Sequence, residues 1–211
     1  MLEAFETTFV RGVLHRPPVP NGDALALTHG AGSNANAPLL VLLATAFAEA
    51  GYLVLRYDLP FRIARPKGPP FPAIAAGDRE GIRRAVDELR KLVRGRVFAG
   101  GHSYGGRQTA MAAAESSELA SALLLLSYPL HPPRKPEQLR TAFFPELRTP
   151  ALFVHGTADL FGTVEEVRAA ITAIPAHTDL LAVENAGHDL KNVAASGVLT
   201  RFAALVCYPE K

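Results

Sequence analysis

The sequence predicts an α/β fold, a mostly parallel sheet with helices on both faces, and three observations carry that expectation. Short apolar runs alternate with helix-length amphipathic stretches from residue 24 to the end of the chain. The runs are continuously apolar over four to six residues rather than alternating, as strands covered on both faces are. Finally Val97 to Arg107, VFAGGHSYGGR, carries a β-branched and aromatic run straight through a glycine-flanked serine into the helix-forming QTAMAAAES.

Taken in order, FETTFVRGVLHR (5–16) alternates about a central Gly12 and reads as two short strands or a bent hairpin at a sheet edge, with His15 on its surface. A Pro/Asn/Gly turn follows, and ALALTHG (24–30) is the next strand. Pro38 suits the first turn of a helix that buries Leu39, Leu42, Leu43, Ala46 and Phe47 and stops at Gly51. YLVLRY (52–57) is a buried strand. A Pro-rich connection then leads to a helix over 77–93, with its apolar stripe at Ile82, Ala85, Val86, Leu89 and Leu92. After the serine and its helix come strand ALLLL (122–126), a second Pro-rich connection (129–147), strand ALFVHG (151–156), a helix over 163–173, strand DLLAVE (179–184) and a terminal helix from about 190 to 206.

A chain of 211 residues, 48% hydrophobic and 20% charged, reads as one domain over 1–211 with a substantial core. Its formal charge of +2 provides no footprint for nucleic acid or an anionic membrane. No run of eighteen apolar residues occurs, and the N-terminal stretch has no basic region followed by an apolar one, so a cytoplasmic location is expected. The lone Cys207 excludes an internal disulfide and reads as a buried thiol of the last helix. No H-E-x-x-H, C-x-x-C, P-loop or dinucleotide pattern occurs, so no metal and no cofactor are expected.

Gly101-His102-Ser103-Tyr104-Gly105 fits a nucleophile elbow, a strand-to-helix turn so tight that residues two before and two after the serine must lack side chains. A serine hydroxyl needs a base, a carboxylate to orient that base, and donors for the oxyanion that forms. In α/β-hydrolases the chain order is serine, acid, histidine, each at the carboxyl end of its own strand. Asp159, in HGTAD after strand ALFVHG, and His188, in NAGHDL after strand DLLAVE, keep that order. Among other carboxylates, Asp179 lies at the wrong end of its strand, Asp189 is expected to cap the terminal helix, and Asp58 to pair with Arg62 or Arg65 or to fix its loop. The Tyr104 amide is the first expected oxyanion donor. The second is the amide of Ala31, with Gly32 as the alternative, from the glycine loop after strand ALALTHG. His29 is read as a brace of that loop or a substrate contact, His102 and His155 as buried and hydrogen-bonded, and His131 and His177 as solvated.

Four blocks, LTHGAGSNANAP (27–38), AGGHSYGGR (99–107), LFVHGTADLFGT (152–163) and NAGHDL (185–190), resemble the small dienelactone-hydrolase-like α/β-hydrolases. Within these they are most similar to a branch of predicted bacterial hydrolases that includes animal testis-expressed and chromatin-complex homologues. The resemblance implies an α/β-hydrolase fold with no cap domain and Ser103, Asp159 and His188 as triad. The serine stands where true dienelactone hydrolases have cysteine, which argues against that particular reaction.

The expected function is therefore hydrolysis of an ester, thioester or related acyl bond in a small-molecule substrate. A catalytically silent binding module and a small peptidase are the competing readings. Both Pro-rich connections leave strands at the carboxyl edge and are expected to rim the pocket. They carry Arg62, Arg65, Lys67, Arg134, Lys135, Arg140 and Arg148 against Glu137 and Glu146, with Phe61, Phe71, Phe143 and Phe144 as apolar walls. An anionic acyl substrate, steered by Arg62 and Arg65, is the corresponding expectation.

Overall fold

The computed structural model describes residues 1–207. Eight strands form one sheet: β1 (Leu2–Glu6), β2 (Arg11–His15), β3 (Ala24–Thr28), β4 (Leu53–Tyr57), β5 (Val97–His102), β6 (Leu123–Leu126), β7 (Ala151–Gly156) and β8 (Thr178–Val183). Their order is β1-β2-β4-β3-β5-β6-β7-β8. β1 and β2 are the expected hairpin, and β2 runs antiparallel to β4. From β4 to β8 every pairing is parallel. Parallel neighbours need crossovers, which are supplied by α1 (Pro38–Glu49), α2 (Pro60–Ala64), α3 (Ala75–Arg90), α4 (Tyr104–Glu115) and α5 (Val164–Ile171); α6 (Ala195–Val206) follows β8.

The side-chain period of two divides each central strand between two cores. Ala24 and Ala26 of β3, Val97 and Ala99 of β5, Leu123 and Leu125 of β6, and Ala151 and Phe153 of β7 face α3, α4 and α5. Their alternates, Leu25, Leu27, Phe98, Leu124, Leu126, Leu152 and Val154, face α1 and α6. Burying both faces explains why these strands read as unbroken apolar runs. Each fully buried Leu or Phe contributes roughly 1.5–3 kcal/mol. Phe98 and Phe202 lock sheet to α6 edge to face, with ring centroids 5.2 Å apart.

Several expectations fail at the periphery. α3 ends at Arg90, and Leu92 is exposed beyond it. α6 starts at Ala195 rather than near 190, because Leu190 takes a φ of 50°, which no helix continues through. Asp189 therefore caps nothing and pairs with Lys191. Cys207 is exposed just past the end of α6. His15 is buried and accepts from Arg56 Nε at 2.7 Å, while burial and the Arg56 charge lower its pKa to about 4. His131 is buried too, with its ring nitrogens against Pro132 O and the Glu166 carboxylate. Among the described residues no helix is long and apolar enough to cross a membrane.

Candidate active site

Ser103 sits between β5 and α4 with φ 52° and ψ −117°, a strained conformation costing roughly 1–3 kcal/mol. The turn is held by Ser103 N–H to Leu126 O and by Arg107 N–H to Ser103 O. It also needs its glycines. A Cβ on Gly101 would lie 2.8 Å from Thr28 O, and one on Gly105 2.4 Å from His29 O, so any side chain would force β3 and α4 apart.

The structure brings Ser103, His188 and Asp159 into one hydrogen-bonded chain. Ser103 Oγ lies 2.7 Å from His188 Nε2, and His188 Nδ1 lies 2.8 Å from Asp159 Oδ2. Asp159 follows β7 and is buried, and His188 follows β8. Burial alone would raise the Asp159 pKa. The hydrogen bond and charge of His188, the Phe161 N–H and the nearby His155 outweigh it and hold the carboxyl below its usual value. An anion there can receive Nδ1–H, which leaves Nε2 free to take a proton from the serine.

The block Asp159 to Thr163 now has a physical reading. Asp159 Oδ1 accepts the Phe161 N–H at 2.8 Å, Phe161 packs its ring 4.3 Å from that of His188, and Thr163 forms a capping box with Glu166 at the start of α5. His102 holds the other side of the histidine loop, its Nε2 being 2.7 Å from His188 O. His155 is buried with Nε2 2.8 Å from Gly162 O.

The glycine loop after β3 is fixed from four directions. His29 is fully buried, with Nδ1 against Gly30 O and Nε2 accepting the Leu59 N–H, so it braces the loop and is out of reach of a ligand. Asp58 accepts the Ala35 N–H at 2.8 Å and pairs with Arg11, not with Arg62 or Arg65. Arg56, also buried, donates to Ala35 O and Asn36 Oδ1. Arg62 is 4% exposed and donates to Ser33 O at 2.7 Å, Ala31 O at 2.8 Å, Gly68 O at 3.1 Å and Arg65 O at 3.2 Å. Ala31 lines the same cavity as Ser103 and Tyr104; Gly32 does not.

Arg62 is thus a clamp on the loop and not a steering charge. Four backbone carbonyls are a sufficient use for a guanidinium that has no carboxylate beside it. Arg62→Lys, which keeps the charge and loses the fork, is expected to lower kcat by about 10–10²-fold with KM little changed, since a misplaced donor loop costs that much. Steady-state kinetics at low and high salt check this. A rate loss that disappears at either salt concentration would restore the steering role.

The cavity beside Ser103, about 440 Å³, is walled by Pro69, Pro70, Phe71, Met111 and Phe161 and carries Arg79, Arg107 and Arg140. Of the seven cations expected at the rim, only Arg140 lines it. Arg65 instead stacks 4.4 Å over Phe71, stiffening that wall. Lys67, Arg134 and Lys135 point into solvent. Arg148 precedes β7 and so lies at the opposite end of the sheet. Phe61 is buried against Tyr104, while Phe143 packs on Phe144 and Phe144 in turn on Tyr128. Arg79 and Arg107 reach the cavity from α3 and α4 rather than from the Pro-rich connections, where the sequence places its cluster of cations. Arg107 is four residues beyond Ser103 on a helix, and that spacing alone puts the two on one face.

This fold and this placement of the serine belong to one class. The family model described as an alpha/beta hydrolase domain matches residues 21–204, and the chain belongs to that family. Among solved structures it is similar to dienelactone hydrolase from Anabaena variabilis (20% identity over 97% of this chain and 95% of that one, TM-score 0.73). It is also similar to Est1E from Butyrivibrio proteoclasticus (17%, covering 98% and 99%, TM-score 0.77). A third is XC6422 from Xanthomonas campestris, a serine hydrolase without a lid (15%, covering 99% and 96%, TM-score 0.72). At these identities the likeness is one of fold. It agrees with a chain whose described residues build no separate cap, the two Pro-rich connections serving as cleft walls.

Proposed function

We propose that the protein is a serine hydrolase that cleaves an ester, thioester or related acyl bond through an acyl-enzyme. The observation that carries this reading is the unbroken chain Ser103 Oγ, His188 Nε2, His188 Nδ1, Asp159 Oδ2, with links of 2.7 and 2.8 Å, at a strained elbow open to a cavity. Ser103 Oγ attacks the acyl carbon as His188 Nε2 takes the hydroxyl proton, and Asp159 stabilises the imidazolium. The tetrahedral oxyanion is received by the Tyr104 N–H, which as the first residue of α4 has no acceptor within its helix, and by the Ala31 N–H. Ala31 is preferred to Gly32 because it lines the cavity and has its carbonyl fixed by Arg62. Collapse of the intermediate breaks the bond to the leaving group, which departs with the proton from His188. Water, deprotonated by His188, then releases the acid and regenerates Ser103. Placement in the branch with testis-expressed and chromatin-complex homologues rests on the four sequence blocks alone.

A fluorophosphonate probe is expected to label the wild type at Ser103 and to leave Ser103→Ala unlabelled. Absence of labelling in folded wild type would favour a silent binding module. Turnover of matched acyl esters, thioesters and aminopeptides then separates esterase from peptidase, with esters or thioesters expected to be the faster substrates.

A further inference from the structure

Resting on the serine-hydrolase reading, we propose that Arg107 and Arg140 form an anion subsite inside the cleft, so that the substrate carries a carboxylate a few atoms from its scissile carbonyl. Both side chains line the cavity that holds Ser103, one from α4 and one from the connection between β6 and β7. Burial first, and then the charge of Arg107, disfavours the charge on Arg140, and the Tyr128 hydroxyl lies against both, hydrogen-bonded to Arg107. Two cations held together raise the energy of the folded chain unless something negative joins them. Among the described residues neither arginine has a carboxylate partner, and Arg107 Nε is buried with no hydrogen-bond acceptor.

Other arginines nearby already have their charge or their donors matched. Arg79, in the same cavity, pairs with Glu115 at 2.8 Å and donates to Gln108, and Arg62 is spent on carbonyls. Arg140 is also preorganised. Its N–H donates to Leu130 O at 2.8 Å, its carbonyl accepts from Tyr128 Oη at 2.6 Å, and its Nη1 lies 3.3 Å from Pro129 O. Tyr128 is fully buried, and burial keeps its phenol protonated, so it brings no competing negative charge.

The size and walls of the site fix the rest of the ligand. Arg107 lies one helical turn past the nucleophile, a rise of roughly 5–6 Å, which an acyl chain of about three methylenes spans. A planar guanidinium matches a planar carboxylate through two parallel hydrogen bonds. Phe71, Met111 and Phe161 supply apolar contact for the intervening chain.

The experiment compares kcat/KM for p-nitrophenyl hydrogen glutarate, p-nitrophenyl pentanoate and 4-(pentanoyloxy)benzoate. The second is neutral, and the third carries its carboxylate on the leaving group. One anionic ester is expected to exceed the pentanoate by about 10–10²-fold, the size of a charge-assisted contact. Which of the two gains tells which half of the substrate meets the arginines. Arg107→Gln and Arg140→Gln should each bring that ratio towards one, whereas Lys135→Gln, on the exposed part of the same connection, should leave it unchanged. Because each ratio is taken within one variant, a general loss of activity cancels. Equal or lower rates for both anionic esters in wild type, or ratios that survive both arginine substitutions, would overturn the subsite and leave the serine-hydrolase reading standing. If no ester turns over and the probe labels nothing, it is that reading that fails. Calorimetric binding of glutarate then still reads the subsite: it is present if wild type binds and Arg107→Gln does not, and refuted if neither binds, if both bind alike, or if inorganic phosphate binds in place of glutarate.

Discussion

Ser103→Ala and His188→Ala are each expected to lower kcat by about 10⁶-fold, and the double variant to be little worse than either. With Oγ gone there is no bond to the acyl carbon for His188 to assist. With the imidazole gone, Ser103 keeps a proton that nothing within 2.7 Å can take. Loss of either member therefore removes the same event, and the free energies do not add. Neither change should unfold the chain. Ser103 makes its turn through backbone bonds to Leu126 and Arg107 that alanine retains, and His188 is only partly buried. Turnover of any hydrolysed ester, with circular dichroism as a check on folding, decides the matter. Near-normal turnover in folded Ser103→Ala would end the proposed mechanism.

Asp159→Asn should cost on the order of 10⁴ in kcat, through the tautomer of His188. Oδ1 of Asp159 accepts the Phe161 N–H at 2.8 Å, so in the variant that position must remain a carbonyl oxygen. The new amide group then occupies the place of Oδ2 and presents N–H to His188 Nδ1. Nδ1 is forced to accept, Nε2 carries the proton, and the face turned to Ser103 becomes a donor where the reaction needs an acceptor. Asparagine is nearly isosteric, so thermal stability should change far less than rate. The proton resonance of the hydrogen-bonded Nδ1–H should vanish from the low-field NMR spectrum. A mild phenotype with that resonance intact would direct attention to Glu184 or Asp58 as the orienting acid.

What could be read in the sequence divides along a physical line. Strands and helices report themselves through local periodicity, so the parallel sheet, its edge hairpin and the turn at Ser103 were legible. So were the residue types at the ends of β5, β7 and β8, which the fold then brings within hydrogen-bonding distance. Partners of long polar side chains are not local. Arg62 lies in a Pro-rich connection where arginines are usually solvated, and nothing in the sequence says that four carbonyls from 31 to 68 converge on it. His15, His131 and Asp58 were misread for the same reason, each finding a partner more than thirty residues away. The start of α6 was missed because one left-handed residue, Leu190, decides it, and leucine carries no signal for that conformation.

β8 closes the sheet, with a hydrogen-bonded neighbour on one side only. His188 rides on the loop that leaves it, which is moored to the interior by His102 and Asp159, by the Ala158 N–H on Ala186 O, by the Asn185 N–H on Thr157 Oγ1 and by the buried side chains of Ala186 and Leu190. Edge strands open more readily than central ones, so the base of the reactive constellation is carried by a strand with one partner while its nucleophile is carried by a strand with two. Fraying of β8 would withdraw the base from a serine that stays poised at its elbow, since β3, β5 and β6 around it are sealed on both sides. On heating, activity is therefore expected to be lost no later than the central sheet, and ester turnover followed beside circular dichroism reads the order of the two losses.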